Sequence, residues 1–258
     1  MIARIMGDRR AQALGRRIDR PEAIGLAIVQ ASIATMGWLV TEPVYVAVAV
    51  ALQLAVGGLG AVRVIGPAHG GGLARYAMPA TAGVAATLFG RLLSGGVALL
   101  LVPLVVVLLW SVLYVEVRGA RLGGVRTMQE LLLTAVLFCA TSGVFALLGP
   151  DAQLPALGLV AATAAVVSMR SAEARGLSGA EAVGQALLHL LAVLQVSLGV
   201  TLLDLPGVVG PAVIALAFYA WGGAAEALGG GASGRSVAIE FGALAALGLA
   251  VALLLEGF

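Results

Sequence analysis

Residues 96–115 read GVALLLVPLVVVLLWSVLYV, an unbroken run without a single charge. A helix rises about 1.5 Å per residue, so about 20 apolar residues cross the roughly 30 Å hydrocarbon core of a bilayer. Charge returns at once in Glu116-Val117-Arg118-Gly119. The run is continuously apolar rather than alternating, which excludes a strand of a transmembrane barrel. It predicts a membrane-spanning helix that ends at a charged interface.

Working outward, similar runs fall near 24–41, 43–62, 74–94, 129–149, 154–169, 183–203, 207–226 and 237–256. With the first stretch they predict nine spans in an all-α, polytopic helix bundle. The punctuation is turn chemistry: Thr41-Glu42-Pro43, Ser94-Gly95-Gly96, Gly149-Pro150-Asp151 and Asp204-Leu205-Pro206-Gly207. The composition agrees. Of 258 residues, 61% are hydrophobic and 11% charged, and the mean hydropathy is +1.07. A soluble domain carries about a quarter charged residues, so a soluble fold is excluded. The 36 glycines suit close helix approach in lipid.

The run at 74–94 is the least apolar, since it holds Pro79 and Arg91. The positive-inside rule decides how to count it. Nine spans with a cytoplasmic N-terminus put every Arg except Arg91 on the inner side, 14 to 1. Omitting that span changes the division to 9 to 6. The reading is therefore a basic cytoplasmic segment, 1–22, followed by one transmembrane domain, 23–258. The polar lead is too long for a signal peptide and serves as an orientation signal that touches anionic lipid. The cell's inner membrane is the expected location.

Several classes of chemistry drop out. The net charge of +2 is too small to argue for nucleic acid. A lone Cys139 offers no disulfide framework and no thiolate metal site. The Gly-rich loops near His69 and Gly229 are not followed by Gly-Lys-Ser/Thr, so neither is a P-loop, and no hydrolase or zinc-protease motif is present.

Two constellations remain. Glu116, Glu130, Glu173, Glu181, Glu226 and Glu240 gather at the inner boundary, interleaved with Arg118, Arg121, Arg126, Arg170 and Arg175. They form either an inner-face site for a phosphate or a cation, or a set of interfacial ion pairs at helix ends. Glu181, Gln185 and His189 recur every four residues and form a polar stripe entering the membrane. That stripe bonds neighbouring helices, lines a cavity, or ligates a cofactor. Glu130 and Thr134 share a face, as do Glu240 and Leu244, but only the first pair continues a polar stripe. Glu116-Val117-Arg118-Gly119, Glu173-Ala174-Arg175-Gly176 and Glu226-Ala227-Leu228-Gly229 look alike, 57 and 53 residues apart. Hairpin duplication and shared interfacial composition both account for them.

In its nine-span layout the chain resembles the UbiA superfamily of intramembrane prenyltransferases. Arg20-Pro21 before the first span, Tyr114 late in the fourth, and the loops after spans two and six carry the likeness. The resemblance implies an active site near the cytoplasmic side, with Mg²⁺ and a prenyl diphosphate held by Asp-rich motifs in those loops. Here the first loop, Arg63-Val64-Ile65-Gly66-Pro67-Ala68-His69, has no acid, and the second offers Glu173 and Glu181. No catalytic residue carries over. The expected function is a non-catalytic membrane-complex subunit or lipid-binding scaffold, partnered by membrane lipids and protein subunits. The alternatives are a permease component for a weakly polar solute and a divergent prenyltransferase.

Overall fold

The computed structural model describes residues 21–66, 72–93, 95–118, 123–148, 152–203, 205 and 207–256. The described residues form nine α-helices and no strand. In chain order they are α1 Pro21–Leu39, α2 Pro43–Ile65, α3 Ala74–Phe89, α4 Val102–Arg118, α5 Gly123–Leu148, α6 Gln153–Ala174, α7 Gly179–Leu202, α8 Val209–Gly229 and α9 Gly234–Glu256. Each expected span meets one helix. Seven stretches (α1, α2, α4 together with the 3₁₀ segment before it from Val97, and α5 to α8) are long and apolar enough to cross a membrane, as a multi-pass membrane protein requires. The basic segment 1–20, the His69 loop, Arg121 and the turn residues Ser94, Gly149, Pro150, Asp151, Asp204 and Pro206 lie outside the described residues.

Prolines set where the helices begin. Pro21 and Pro43 open α1 and α2, and Pro103 is the second residue of α4. A first-turn proline sacrifices no intrahelical bond, because its N–H would have had no partner there. The stretch Gly95–Leu101 ahead of Pro103 winds as a 3₁₀ helix, so α4 starts later than its apolar run does.

The shortest helix sits at the centre. α3 packs against α1, α2, α4, α5 and α6, and ten of its 16 residues are buried. This explains its weak hydropathy. A helix enclosed by other helices needs small residues for close approach, not long aliphatic ones for lipid. Gly57 of α2 shows the constraint: a Cβ there would stand 2.5 Å from Ala80 Cα and 2.9 Å from Ala80 N. At about 1.5 Å per residue, α3 is about 24 Å long. It carries Arg75 at one end, and the 3₁₀ turn Gly90–Leu92 carries Arg91 at the other. Arg91 donates to the carbonyls of Gly37 and Val40 and so closes the C-terminal end of α1.

α7 and α8 layer beyond α5 and α6, and α9 packs on α8. The buried residues of α7 are Ala182, Ala186, His189, Val193, Ser197 and Val200, one stripe stepping by three and four. That stripe is its seam with the neighbouring helices.

Of the three look-alike motifs, the first ends at Gly119, outside the described residues, and the other two do not superimpose as turns. After α6 the left-handed residue is Gly176 at φ 86°, and Leu177 N–H bonds Ala172 O at 3.3 Å. After α8 it is Gly231 at φ 85°, and Ala232 N–H bonds Ala227 O at 3.0 Å. Both are Schellman endings, which need φ > 0 and therefore favour glycine. Gly229, which aligns with Gly176 in the motif, is still helical. The likeness at these two ends reflects helix-end chemistry shifted by two residues.

Candidate functional site

The charges expected at the inner boundary divide into two groups with different fates. In the first, Arg170 of α6 donates from Nε to Glu116 Oε1 and Oε2 at 2.8 and 3.0 Å, and its Nη2 stands 2.8 Å from Oε2. Both side chains are buried. With its amide oxygen turned inward, the buried Gln129 of α5 also accepts from Arg170. Arg75 of α3 donates from Nε and Nη2 to the Glu116 backbone carbonyl, near the last turn of α4. Guanidinium groups there complement the negative end of the helix dipole. Glu173 stands 3.8 Å from Arg170 Nη1. Its carboxylate faces Gly72, so closely that any side chain there would collide with it. This places a negative charge at the start of α3, the favourable end of the dipole.

The second group is open. Arg126 Nη2 of α5 pairs with Glu226 Oε2 of α8 at 2.9 Å, and its Nε lies 3.9 Å from Glu130 Oε1. Arg175 is half-buried beyond them and donates to Ser171 O at 3.3 Å. Burial draws its guanidinium below the ordinary value, while the nearby Glu130 opposes that and Arg126 adds to it. Glu130, Glu226 and Glu240 line a groove of about 630 Å³ between α5, α8 and α9. Thr127, Tyr219, Phe241, Leu244 and Leu247 complete most of its wall. Two other charged residues of the same expected set stand apart. Arg118 is exposed and lies 4.8 Å over the Tyr114 ring, a cation–π contact. Glu181 is exposed on α7.

Glu181, Gln185 and His189 do not form one continuous interior line. Each four-residue step turns a further 40° around a helix of 3.6 residues per turn. Glu181 is exposed, Gln185 half-buried and His189 fully buried on the α7 packing seam. The His189 ring stacks on Phe218 of α8 at 4.2 Å. Its Nε2 donates to the Phe218 carbonyl at 2.9 Å, which fixes the tautomer, and Nδ1 is buried without a hydrogen-bond partner.

No protein-family model, curated protein or solved structure matches this chain. Its chemistry has to be read from its own residues. Among the described residues, no group of three or more His, Cys, Asp or Glu is placed to hold a metal ion. The donor set after α6 does not fit a Mg²⁺–diphosphate centre, because Glu173 faces Gly72 and Arg170.

Gln30 and Gln53, polar residues inside apolar spans that can bond within their own helix or to a neighbour, bond to neighbouring helices in one buried network. Gln30 Nε2 of α1 donates to Pro79 O at 2.9 Å. Gln53 Nε2 of α2 donates to Gln30 O at 2.7 Å and to Thr87 Oγ1 of α3 at 3.1 Å. These bonds tie three helices together where no water competes. Sequence reasoning passed over the groove wall. The signal was present in Glu240, Leu244 and Leu247, which share a face at i, i+4 and i+7, polar at one end and apolar beyond.

Proposed function

We propose that this chain is a non-catalytic, lipid-binding scaffold of the cytoplasmic membrane, crossing nine times with its N-terminus inside. The groove between α5, α8 and α9 carries the reading. It is lined by the carboxylates of Glu130, Glu226 and Glu240 and by the apolar or aromatic side chains of Tyr219, Phe241, Leu244 and Leu247. A polar head and an apolar tail are what such a lining accommodates. The spent charges add support. Glu116, Arg170 and Arg75 are occupied in holding α3, α4 and α6 together, and His189 is closed against Phe218. Both sets of contacts engage these side chains with the protein's own helices.

Native mass spectrometry of the protein, purified in mild detergent, tests this. The expected result is a retained lipid adduct that survives Glu181→Ala and His189→Ala. Ala212→Trp, in the apolar cavity between α8 and α9 that shares Leu244 and Leu247 with the groove, should displace it. Wild-type protein free of lipid would overturn the scaffold reading, as would transport or transfer activity abolished by the Glu181 and His189 variants.

A further inference from the structure

We propose that His189 of α7 and Gly222 of α8 frame a site for one internal water molecule, held in the seam between the two helices by the imidazole Nδ1. The site is independent of the lipid groove. His189 is the eleventh of the 24 residues of α7, so it lies midway along a membrane-spanning helix. Its Nε2 donates to the Phe218 carbonyl at 2.9 Å, which leaves Nδ1 of the neutral ring as an acceptor only. The side chain is fully buried, and no described residue donates to Nδ1. A buried acceptor left unpaired costs more than a hydrogen bond ordinarily returns, so this atom calls for a donor.

Gly222 supplies the room. It is buried in the seam, yet a Cβ built on it would meet a single atom within 4 Å outside its own stretch of helix, His189 Cε1 at 3.7 Å. That is ordinary van der Waals contact, and Cε1 is bonded directly to Nδ1. At Gly223, one residue on, the same added atom would collide with Phe241 at 2.6 Å. The missing side chain of Gly222 therefore leaves a space about the size of a methyl group beside the open edge of the ring. Its size and chemistry select the occupant. A metal ion would need several ligands, and among the described residues no group of three or more His, Cys, Asp or Glu is placed to supply them. An apolar atom would leave Nδ1 unpaired. A water fits the space and donates one hydrogen to Nδ1. Gln185, half-buried and four residues earlier on α7, brings a second polar group beside His189 for the same water.

Nuclear magnetic resonance of the full-length protein, labelled at histidine and held in deuterated detergent, tests the site. The chain has two histidines, and the His189→Phe spectrum assigns the signals of His189 by their loss. The proton on Cε1 does not exchange with solvent, so a nuclear Overhauser cross-peak from it to the water resonance reports a water beside the ring. The expected result is such a cross-peak in the wild type and its loss in Gly222→Ala, whose methyl takes the space without strain. The Nδ1 resonance should shift in Gly222→Ala, which leaves the acceptor unpaired. It should stay near its wild-type position in Gly222→Ser, whose hydroxyl replaces the donor. A wild type with no cross-peak would overturn the site, as when the Gln185 amide turns in to pair with Nδ1 itself. A cross-peak that survives Gly222→Ala would overturn it equally, as would an Nδ1 resonance identical in all three proteins.

Discussion

Arg170 on α6 and Glu116 on α4 form a forked, buried ion pair, with Nε 2.8 and 3.0 Å from the two carboxylate oxygens. Neither side chain has water to fall back on, and Gln129 satisfies part of the guanidinium that the carboxylate leaves. The pair joins two helices at the face of the bundle where the chain's charges concentrate.

Removing one partner should therefore be worse than removing both. Arg170→Met alone leaves the buried Glu116 carboxylate with only Arg75, 3.8 Å away, and should cost about 3–5 kcal/mol. The double variant Arg170→Met, Glu116→Leu should recover most of that loss. Thermal unfolding in detergent measures both, and a double variant no more stable than the single one would contradict the pairing.

The adjacent glycines of α2 should behave oppositely. Gly57→Ala drives a Cβ into the backbone of Ala80, so α2 and α3 must separate, at about 1–3 kcal/mol. Gly58→Ala meets nothing within 4 Å. It should be neutral or stabilising by up to about 1 kcal/mol, since alanine favours helix. The same unfolding assay distinguishes them, and equal effects would refute the close crossing.

His189→Phe keeps a ring on Phe218 but loses the hydrogen bond to its carbonyl. Such bonds between membrane helices average about 0.6 kcal/mol. The buried, unpartnered Nδ1 disappears as well, so the net change should stay within about 1 kcal/mol. Retained lipid should be unaltered. Loss of lipid binding from this variant would instead make His189 part of the site.

Labelling by a membrane-impermeant thiol reagent, in a Cys139→Ala background, checks the crossing pattern. Cysteines at the exposed Ser178 and Ser233 should react from the cytoplasmic side, and those at Leu93 and Val208 from the other. Reaction of Leu73→Cys, at the exposed position just before α3, and Leu93→Cys from the same side would remove α3 as a crossing helix.

Much of this was legible in the order of residues. The run at 96–115 and its counterparts marked the helices, because backbone groups in hydrocarbon must bond within their own segment and apolar length alone reports the crossing. Prolines and charges marked the ends, as at Pro43 and Arg118. The faces were not legible. In water an apolar stripe points to the core, but leucine and valine suit lipid and protein neighbours alike, so the periodicity that would locate contacts is lost. Hence His189 looked continuous with Glu181 until packing put one inside and the other out. The central place of α3 was hidden for the same reason, its alanines and glycines reading as weak hydropathy. The sequence by itself determined that the chain forms apolar helices with charged ends. Only the tertiary structure decided that Glu116 would be locked by Arg170 while Glu240 makes no ion pair among the described residues and lines an open groove, because that outcome depends on which helices meet.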